Sequence, residues 1–374
     1  MYHTKLEETG LKLGFGLMRL PKKEGTQSTD IEQTKRMVDA FLAAGGRYFD
    51  TAYVYGGPED ATRQALCERY PRANYLLADK INAADFACKS EAEAKAETRI
   101  SLERTGAGYF DFYLVHGVDA GNLGNYDRYG IWDYVKQLKA DGLVRHWGFS
   151  FHDSPELLDR LLTEHPDAEF VQLQINYADW EDPLTASRRN YEVATAHGVP
   201  VVVMEPAKGG LLANPPQSVQ DVLHAANPDA SYASWAIRFV ASLPNVMVVL
   251  SGMSNEAQMA DNLSYMKDFQ PLTDAEQQTV TAAREALAKC DTIRCTACHY
   301  CTPGCPMEIH IPEIFSIVNG YRLYGDLMTA RADYSWRAGA SPASACIQCG
   351  QCEGACPQHL PIISLLQEAA AILE

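Results

Sequence analysis

Two cysteine runs constrain this chain more than any other feature. They read Cys295-x2-Cys298-x2-Cys301-x3-Cys305-Pro306 and Cys346-x2-Cys349-x2-Cys352-x3-Cys356-Pro357. Of the 11 cysteines only Cys67 and Cys88 precede Cys290. A secreted disulfide scaffold would be short and cysteine-dense throughout, and this 374-residue chain is neither. It must fold as a large cysteine-poor body followed by a metal module. Cys346 follows Cys295 by 51 residues, and the match continues to Ile309 and Leu360, each four residues past the last cysteine of its run. The tail is therefore an internal duplication.

This spacing is the one found in bacterial ferredoxins with two [4Fe-4S] clusters. Three closely spaced thiolates wrap one corner of an iron-sulfur cubane, while the fourth, directed away before a proline, ligates the other cluster. By that rule cluster one takes Cys295, Cys298, Cys301 and Cys356, and cluster two takes Cys346, Cys349, Cys352 and Cys305. A structural zinc site suits the pattern less well, because four tetrahedral ligands do not come easily from one tight run. Cys290 stands outside the runs and reads as a non-ligand.

The body alternates strand-like and helix-like patterns. Short apolar runs at 13–20, 47–52, 75–81, 109–116, 146–151, 170–177, 200–206 and 246–252 predict eight strands. Amphipathic stretches such as 30–44, 90–102, 155–164, 230–242 and 255–266 predict helices between them. Eight such units point to an α/β protein with a (β/α)8 TIM barrel, followed by a small, mainly helical, two-cluster ferredoxin-like domain. A doubly wound sheet fits less well, since no G-x-G-x-x-G follows an early strand. Thr273-Asp274-Ala275-Glu276 predicts a helix start. The expected division is a barrel over 1–272, a connecting helix over 273–289 and the cluster domain over 290–374. The proline-rich loop at Ala213-Asn214-Pro215-Pro216 reads as a surface loop or a lid beside the barrel mouth.

In such a barrel the chemistry sits at the C-terminal ends of the strands. Asp50 and Tyr55 follow the second predicted strand, Lys80 ends the third and His116 ends the fourth. A tyrosine hydroxyl, with a pKa near 10, is a poor proton donor at neutral pH. A neighbouring ammonium lowers that pKa, a carboxylate holds the ammonium, and a neutral histidine orients a carbonyl. Together these four would polarise a carbonyl for hydride attack and deliver the proton. The net charge of −16 argues against a nucleic-acid partner or an anionic membrane. No apolar run reaches the roughly 20 residues that span a bilayer, and residues 1–8 lack an export-type hydrophobic segment. The expected location is the cytoplasm.

The segments Phe49-Asp50-Thr51-Ala52-x-x-Tyr55-Gly56, Asp79-Lys80 and Asp111-Phe112-Tyr113-Leu114-Val115-His116 resemble the aldo/keto reductase family, over roughly residues 5–270. The whole chain resembles the members with a C-terminal 4Fe-4S domain. The resemblance implies Tyr55 as general acid, tuned by Lys80 and Asp50, with His116 orienting the substrate carbonyl. It also implies NAD(P)H as hydride donor. Ser150 and Gln174 would hold the nicotinamide carboxamide, while Pro206, Lys208 and Gly209 would line the pyrophosphate path. Ser251, Gly252, Met253, Ser254 and Asn262 would meet the adenosine end. Arg19, ending the first strand, would face an anionic substrate, a cofactor phosphate or a rim carboxylate.

The sequence departs from the family at Phe151, where many members have Asn, and at Met204, where an aromatic often stacks on nicotinamide. No Lys or Arg lies between Met253 and Gln258 to clamp a 2′-phosphate. The expected substrate is a small-molecule aldehyde, ketone or alcohol, and a ferredoxin-type protein is a candidate redox partner. Clusters move single electrons and nicotinamide moves two, a mismatch that flavin commonly bridges; the sequence offers no flavin signature. The alternative readings are an electron-transfer enzyme working through bound flavin, and a redox-sensing protein whose clusters are structural.

Overall fold

The computed structural model describes residues 10–26, 28–295, 299, 301–338, 341–356 and 358–374. Eight parallel strands form a closed barrel in sequence order. They are β1 (Leu13–Gly16), β2 (Tyr48–Asp50), β3 (Leu76–Ile81), β4 (Phe110–Val118), β5 (Val144–Phe151), β6 (Val171–Gln174), β7 (Val201–Met204) and β8 (Val246–Ser251). Closure of β8 onto β1 excludes the doubly wound sheet. Each strand coincides with one expected run, differing only at its ends. The first run is cut short because its last residues, Leu17–Arg19, turn into a 3-10 helix.

Helices begin where side chains can cap them. Asp30, Ser90, Ser154, Ser231 and Asn255 each accept a hydrogen bond from a first-turn backbone N–H. At Thr273 the expected reciprocal cap forms: Glu276 N donates to Thr273 Oγ1 at 3.3 Å and Thr273 N donates to Glu276 Oε2 at 2.8 Å.

Strand alternation divides the core into two layers. Tyr48, Leu76, Ala78, Phe112, Leu114, Phe170, Val202, Val248 and Leu250 pack together inside the barrel. Their neighbours Phe49, Leu77, Tyr113, Val115, Val203 and Val249 pack outward against the helices. The interior is tight enough to dictate glycine. A Cβ on Gly14 would lie 2.8 Å from Leu250 and Val248 side chains, and one on Gly148 only 2.1 Å from the Phe170 carbonyl oxygen. At the start of β4, Asp111 bonds Arg72 at 2.5 Å, Arg145 at 3.0 Å and the Leu77 N–H at 2.9 Å.

The chain divides into two compact units, one of residues 1–213 and 229–277, the other of residues 214–228 and 278–374. Residues 214–228, which follow the strand-seven loop, thus belong to the second unit. The proline-rich loop ends at Pro216, and a helix, Gln217–Ala226, follows it. In the second unit the duplication extends into the fold. The helices Ile311–Tyr324 and Ile362–Leu373 start 51 residues apart, and Glu308 and His359 share a left-handed φ of 51°. Arg322 joins the two helices by bonds of 2.7 and 2.9 Å to Glu368. Among the described residues no helix is long and apolar enough to cross a membrane.

Glu97 lies outside the barrel wall, 1% exposed, and one of its oxygens accepts from Asn82 N at 2.7 Å. Burial pushes its carboxyl up to about 8 from an ordinary 4.5. A raised folded-state pKa favours the fold fully below the unfolded value, and the contribution is lost as pH rises through the folded one. The melting temperature of the parent should therefore fall more steeply from about pH 5 to pH 9 than that of Glu97→Gln. Equal slopes in thermal melts would show that Glu97 ionises freely in the fold.

Candidate active site and metal centre

The inward layer ends in polar groups at the C-terminal mouth. Counting by twos from Tyr48, from Ala78 and from Leu114 brings Asp50, Lys80 and His116 to the inner face of three adjacent strands. Lys80 has no exposed surface; its Nζ donates to Asp50 Oδ1 at 2.5 Å and to the Thr51 carbonyl at 2.7 Å. Tyr55 lies in the 3-10 turn Tyr53–Tyr55 that follows β2. Its ring centroid is 5.0 Å from Lys80 Nζ and 5.7 Å from the His116 ring, which meets it edge-on at 80°. The structure thus gathers all four expected residues at one spot.

Their electrostatics differ in one respect from the simple expectation. Burial acts to strip the proton from Lys80, but Asp50 and the other acidic neighbours outweigh it and keep the ammonium charged. Burial raises the Tyr55 phenol above its ordinary value, and the Lys80 ammonium pulls it down without reversing the direction. The net shift is upward, not downward, so the phenol holds its proton at neutral pH. Burial, with the Lys80 and His152 charges, drives His116 well below the usual histidine range, which makes it a neutral imidazole. His116 Nδ1 and Asp50 Oδ2 are buried and have no hydrogen-bond partner among the described residues.

Residues on the next strands form a polar arc. Ser150 Oγ accepts from Gly117 N at 2.6 Å, which ties β5 to the end of β4. Gln174 Nε2 donates to Asp179 at 3.2 Å, Asn176 Nδ2 donates to the same carboxylate at 2.8 Å, and Lys208 pairs with its other oxygen. Burial would raise Asp179, yet Lys208 and these amides hold it below the usual carboxylate range. Asp179 and Asn176 were not singled out from sequence; the signal available was their place in Asn176-Tyr177-Ala178-Asp179, just past β6.

Arg19 stands apart from the four and bonds the Gly209 carbonyl at 3.2 Å, with Glu205 at 3.8 Å. It also lies beside Gly252, whose added Cβ would meet the Arg19 side chain at 3.5 Å. Pro206 is buried, while Gly209 and Gly252 are exposed. Ser251 donates to Asn262 at 2.6 Å, and Ser254 N donates to Gln258 at 2.7 Å. Met253 is 1% exposed and packs in the core, so it can offer a ligand only its backbone. Arg36, also missed from sequence, pairs with Glu256 at the start of the helix Glu256–Met266. These groups fit a dinucleotide. Amides and hydroxyls suit a carboxamide and ribose, and the cations Arg19 and Lys208 beside bare glycine backbone suit a diphosphate.

In the second unit the cysteines line two cavities. One is lined by Cys305, Cys346, Cys349 and Cys352. The other is lined by Cys295, Cys301 and Cys356. Cys298 lies outside the described residues. The last cysteine of each run thus faces the cavity of the other run. Among the described residues no three His, Cys, Asp or Glu side chains are placed to hold a single metal ion. Thiolates spread around a cavity, with no three grouped for a single ion among the described residues, suit a cubane better than one tetrahedral ion. Cys290 lines neither cavity; its sulfur lies 3.5 Å from the Ala286 carbonyl.

Residues 12–285 match the aldo/keto reductase family, and residues 294–360 match a 4Fe-4S dicluster domain. An aldo-keto reductase of Mycolicibacterium vanbaalenii is 30% identical over 263 residues, covering 70% of this chain and 84% of the relative. One from Mycobacterium sp. (strain MCS) is 29% identical, covering 73% and 87%. The holo form of an aldo-keto reductase from Bacillus halodurans superposes with a TM-score of 0.60 at 24% identity, covering 74% of this chain and 92% of that one. An aldo-keto reductase from Klebsiella pneumoniae, in complex with NADPH, does so with a TM-score of 0.56 at 19% identity, covering 72% and 89%.

Proposed function

The chain belongs to the aldo/keto reductase family and carries a 4Fe-4S dicluster domain, and from that premise we propose that its barrel reduces a small aldehyde or ketone, or oxidises the alcohol, with NAD(P)H. The observation that carries this reading is the fully buried Lys80, clamped to Asp50 at 2.5 Å and set 5.0 Å from the Tyr55 ring centroid. A charged ammonium buried this deeply is costly unless a function retains it.

When bound, the reduced nicotinamide supplies the hydride. Tyr55 holds the proton that the carbonyl oxygen needs, and its raised pKa keeps that proton in place until negative charge builds on the substrate oxygen. Lys80 then stabilises the phenolate left behind, and Asp50 fixes the ammonium in register. His116, neutral, donates a hydrogen bond that points the carbonyl oxygen toward Tyr55. Ser150 and Gln174 would bind the carboxamide; Arg19, Pro206, Lys208 and Gly209 the diphosphate; and Ser251, Gly252, Ser254, Asn262 and the Met253 backbone the adenosine end.

The second unit would hold two [4Fe-4S] clusters on the two cysteine sets and exchange single electrons with a one-electron carrier protein. Cytoplasmic conditions, which keep thiols reduced, suit both the cysteines and the clusters.

The nucleotide preference follows from Arg36 and Glu256. A 2′-phosphate needs Arg or Lys within hydrogen-bonding reach. Arg36 is a cation at the helix start, and Glu256 already occupies it. NADPH should therefore bind no more than about tenfold tighter than NADH, a difference of about 1.4 kcal/mol. Glu256→Gln should free Arg36 and shift the ratio toward NADPH by about tenfold. Titrating both reduced cofactors at one ionic strength checks this; a hundredfold NADPH preference in the parent would reveal a clamp elsewhere.

A further inference from the structure

We propose that the cavity lined by Cys305, Cys346, Cys349 and Cys352 is the electron port of the chain, and that its rim docks a one-electron carrier protein with a basic face. The proposal rests on the reading that the second unit is loaded with clusters, and it says where electrons cross its surface.

Cys349 is exposed, while Cys305 and Cys346 of the same set are half-buried and Cys352 is buried. The rim of this cavity carries Ile347, 59% exposed, and Met307, 36% exposed; among the described residues the other cavity is lined by the polar His299 and Gln358. Large apolar side chains left in water beside a metal-binding cysteine have the composition of the core of a protein contact. Tunnelling falls off with distance, so a carrier seated on them would lie against the cluster held beside the exposed Cys349.

Charge identifies the carrier. From Cys295 to Tyr321 and from Ala338 to Glu374 there is no Lys or Arg, while Glu353 accepts at 2.9 Å from the N–H of Ile363, which lines this cavity. Glu308 is exposed and adjoins Met307. A cubane with four thiolates adds further negative charge. The field at this rim attracts a cationic face and repels an acidic one, which acts mainly on the association rate. The exchange itself balances simply: one electron leaves the reduced partner, the other partner gains it, and no bond or proton moves.

The test uses the full chain, purified anaerobically. Iron, acid-labile sulfide and EPR spectra establish loading first. The protein is then reduced with dithionite, freed of excess reductant and mixed in a stopped-flow instrument with oxidised cytochrome c, a basic one-electron acceptor. Separate runs use ferricyanide, a small anion. Ile347→Lys should slow cytochrome c reduction about tenfold at low salt, speed the ferricyanide reaction, and leave both clusters loaded by EPR. Added salt should slow the parent reaction with cytochrome c. Met328→Lys, at a position 82% exposed on the helix Leu327–Arg337, should do neither. If Ile347→Lys loads poorly, Met307→Gln decides instead, slowing cytochrome c several-fold with the salt slope unchanged. A loaded Ile347→Lys within twofold of the parent, or an equal effect of Met328→Lys, overturns the port. A chain without acid-labile sulfide overturns the cluster reading itself, a separate result.

Discussion

Tyr55→Phe should lower the rate of carbonyl reduction by at least about 100-fold, the usual loss when a positioned general acid is removed. The substitution deletes one oxygen and keeps the ring that packs 5.0 Å from Lys80 Nζ and edge-on to His116. Folding and iron content should therefore be unchanged, which separates loss of a proton donor from loss of structure. Because burial holds the phenol above its ordinary value, the parent should keep its proton donor throughout the neutral range. The loss should accordingly appear in kcat and in kcat/KM alike, as expected when the missing interaction belongs to the transition state. The measurement is a steady-state comparison on one aldehyde substrate with saturating reduced nicotinamide. Unchanged turnover would remove Tyr55 from the mechanism and leave Lys80 as a purely structural buried ion.

What could be read in advance from the sequence was what local pattern determines. Strand alternation alone directs Tyr48 and Asp50 to one face and Phe49 to the other, so the mouth positions of Asp50, Lys80 and His116 follow once the barrel is recognised. The helix start at Thr273 was legible because its cap is a bond between near neighbours. The hidden features depend on partners far apart in the chain. Arg36 meets Glu256 across 220 residues, and Lys208 meets Asp179 across 29. Nothing in the local sequence at Asp179 distinguishes a buried hub from a solvated loop carboxylate. That Lys80 pulls the Tyr55 phenol down was legible; that burial outweighs this pull was not, because residue types reveal which charges are near but not how deeply the phenol is buried. Consecutive prolines made the loop at Asn214-Pro215-Pro216 legible, but not the helix Gln217–Ala226 that begins directly after them.

The cysteine arrangement makes the other large prediction, and it concerns connectivity. The cavity holding Cys346, Cys349 and Cys352 is completed by Cys305, which lies 41 residues before Cys346 in sequence. Cys356, only four residues after Cys352, faces the other cavity instead. Two cubanes require about eight irons and eight sulfides per chain. Cys349→Ser and Cys305→Ser should each remove or destabilise one cluster, lowering iron toward about four per chain. If the sets cross, these two changes act on one cluster, so the double variant should lose no more iron than either single one. Combining Cys305→Ser with Cys301→Ser should instead empty both cavities, although these two cysteines share a run. Such a pattern of non-additive and additive losses assigns each thiolate to its partner set without relying on the spectra of either cluster. Uncrossed sets would give the reverse: Cys305 with Cys301 would cost one cluster and Cys305 with Cys349 would cost two. Stoichiometric zinc without acid-labile sulfide in the parent would remove the clusters from the account altogether.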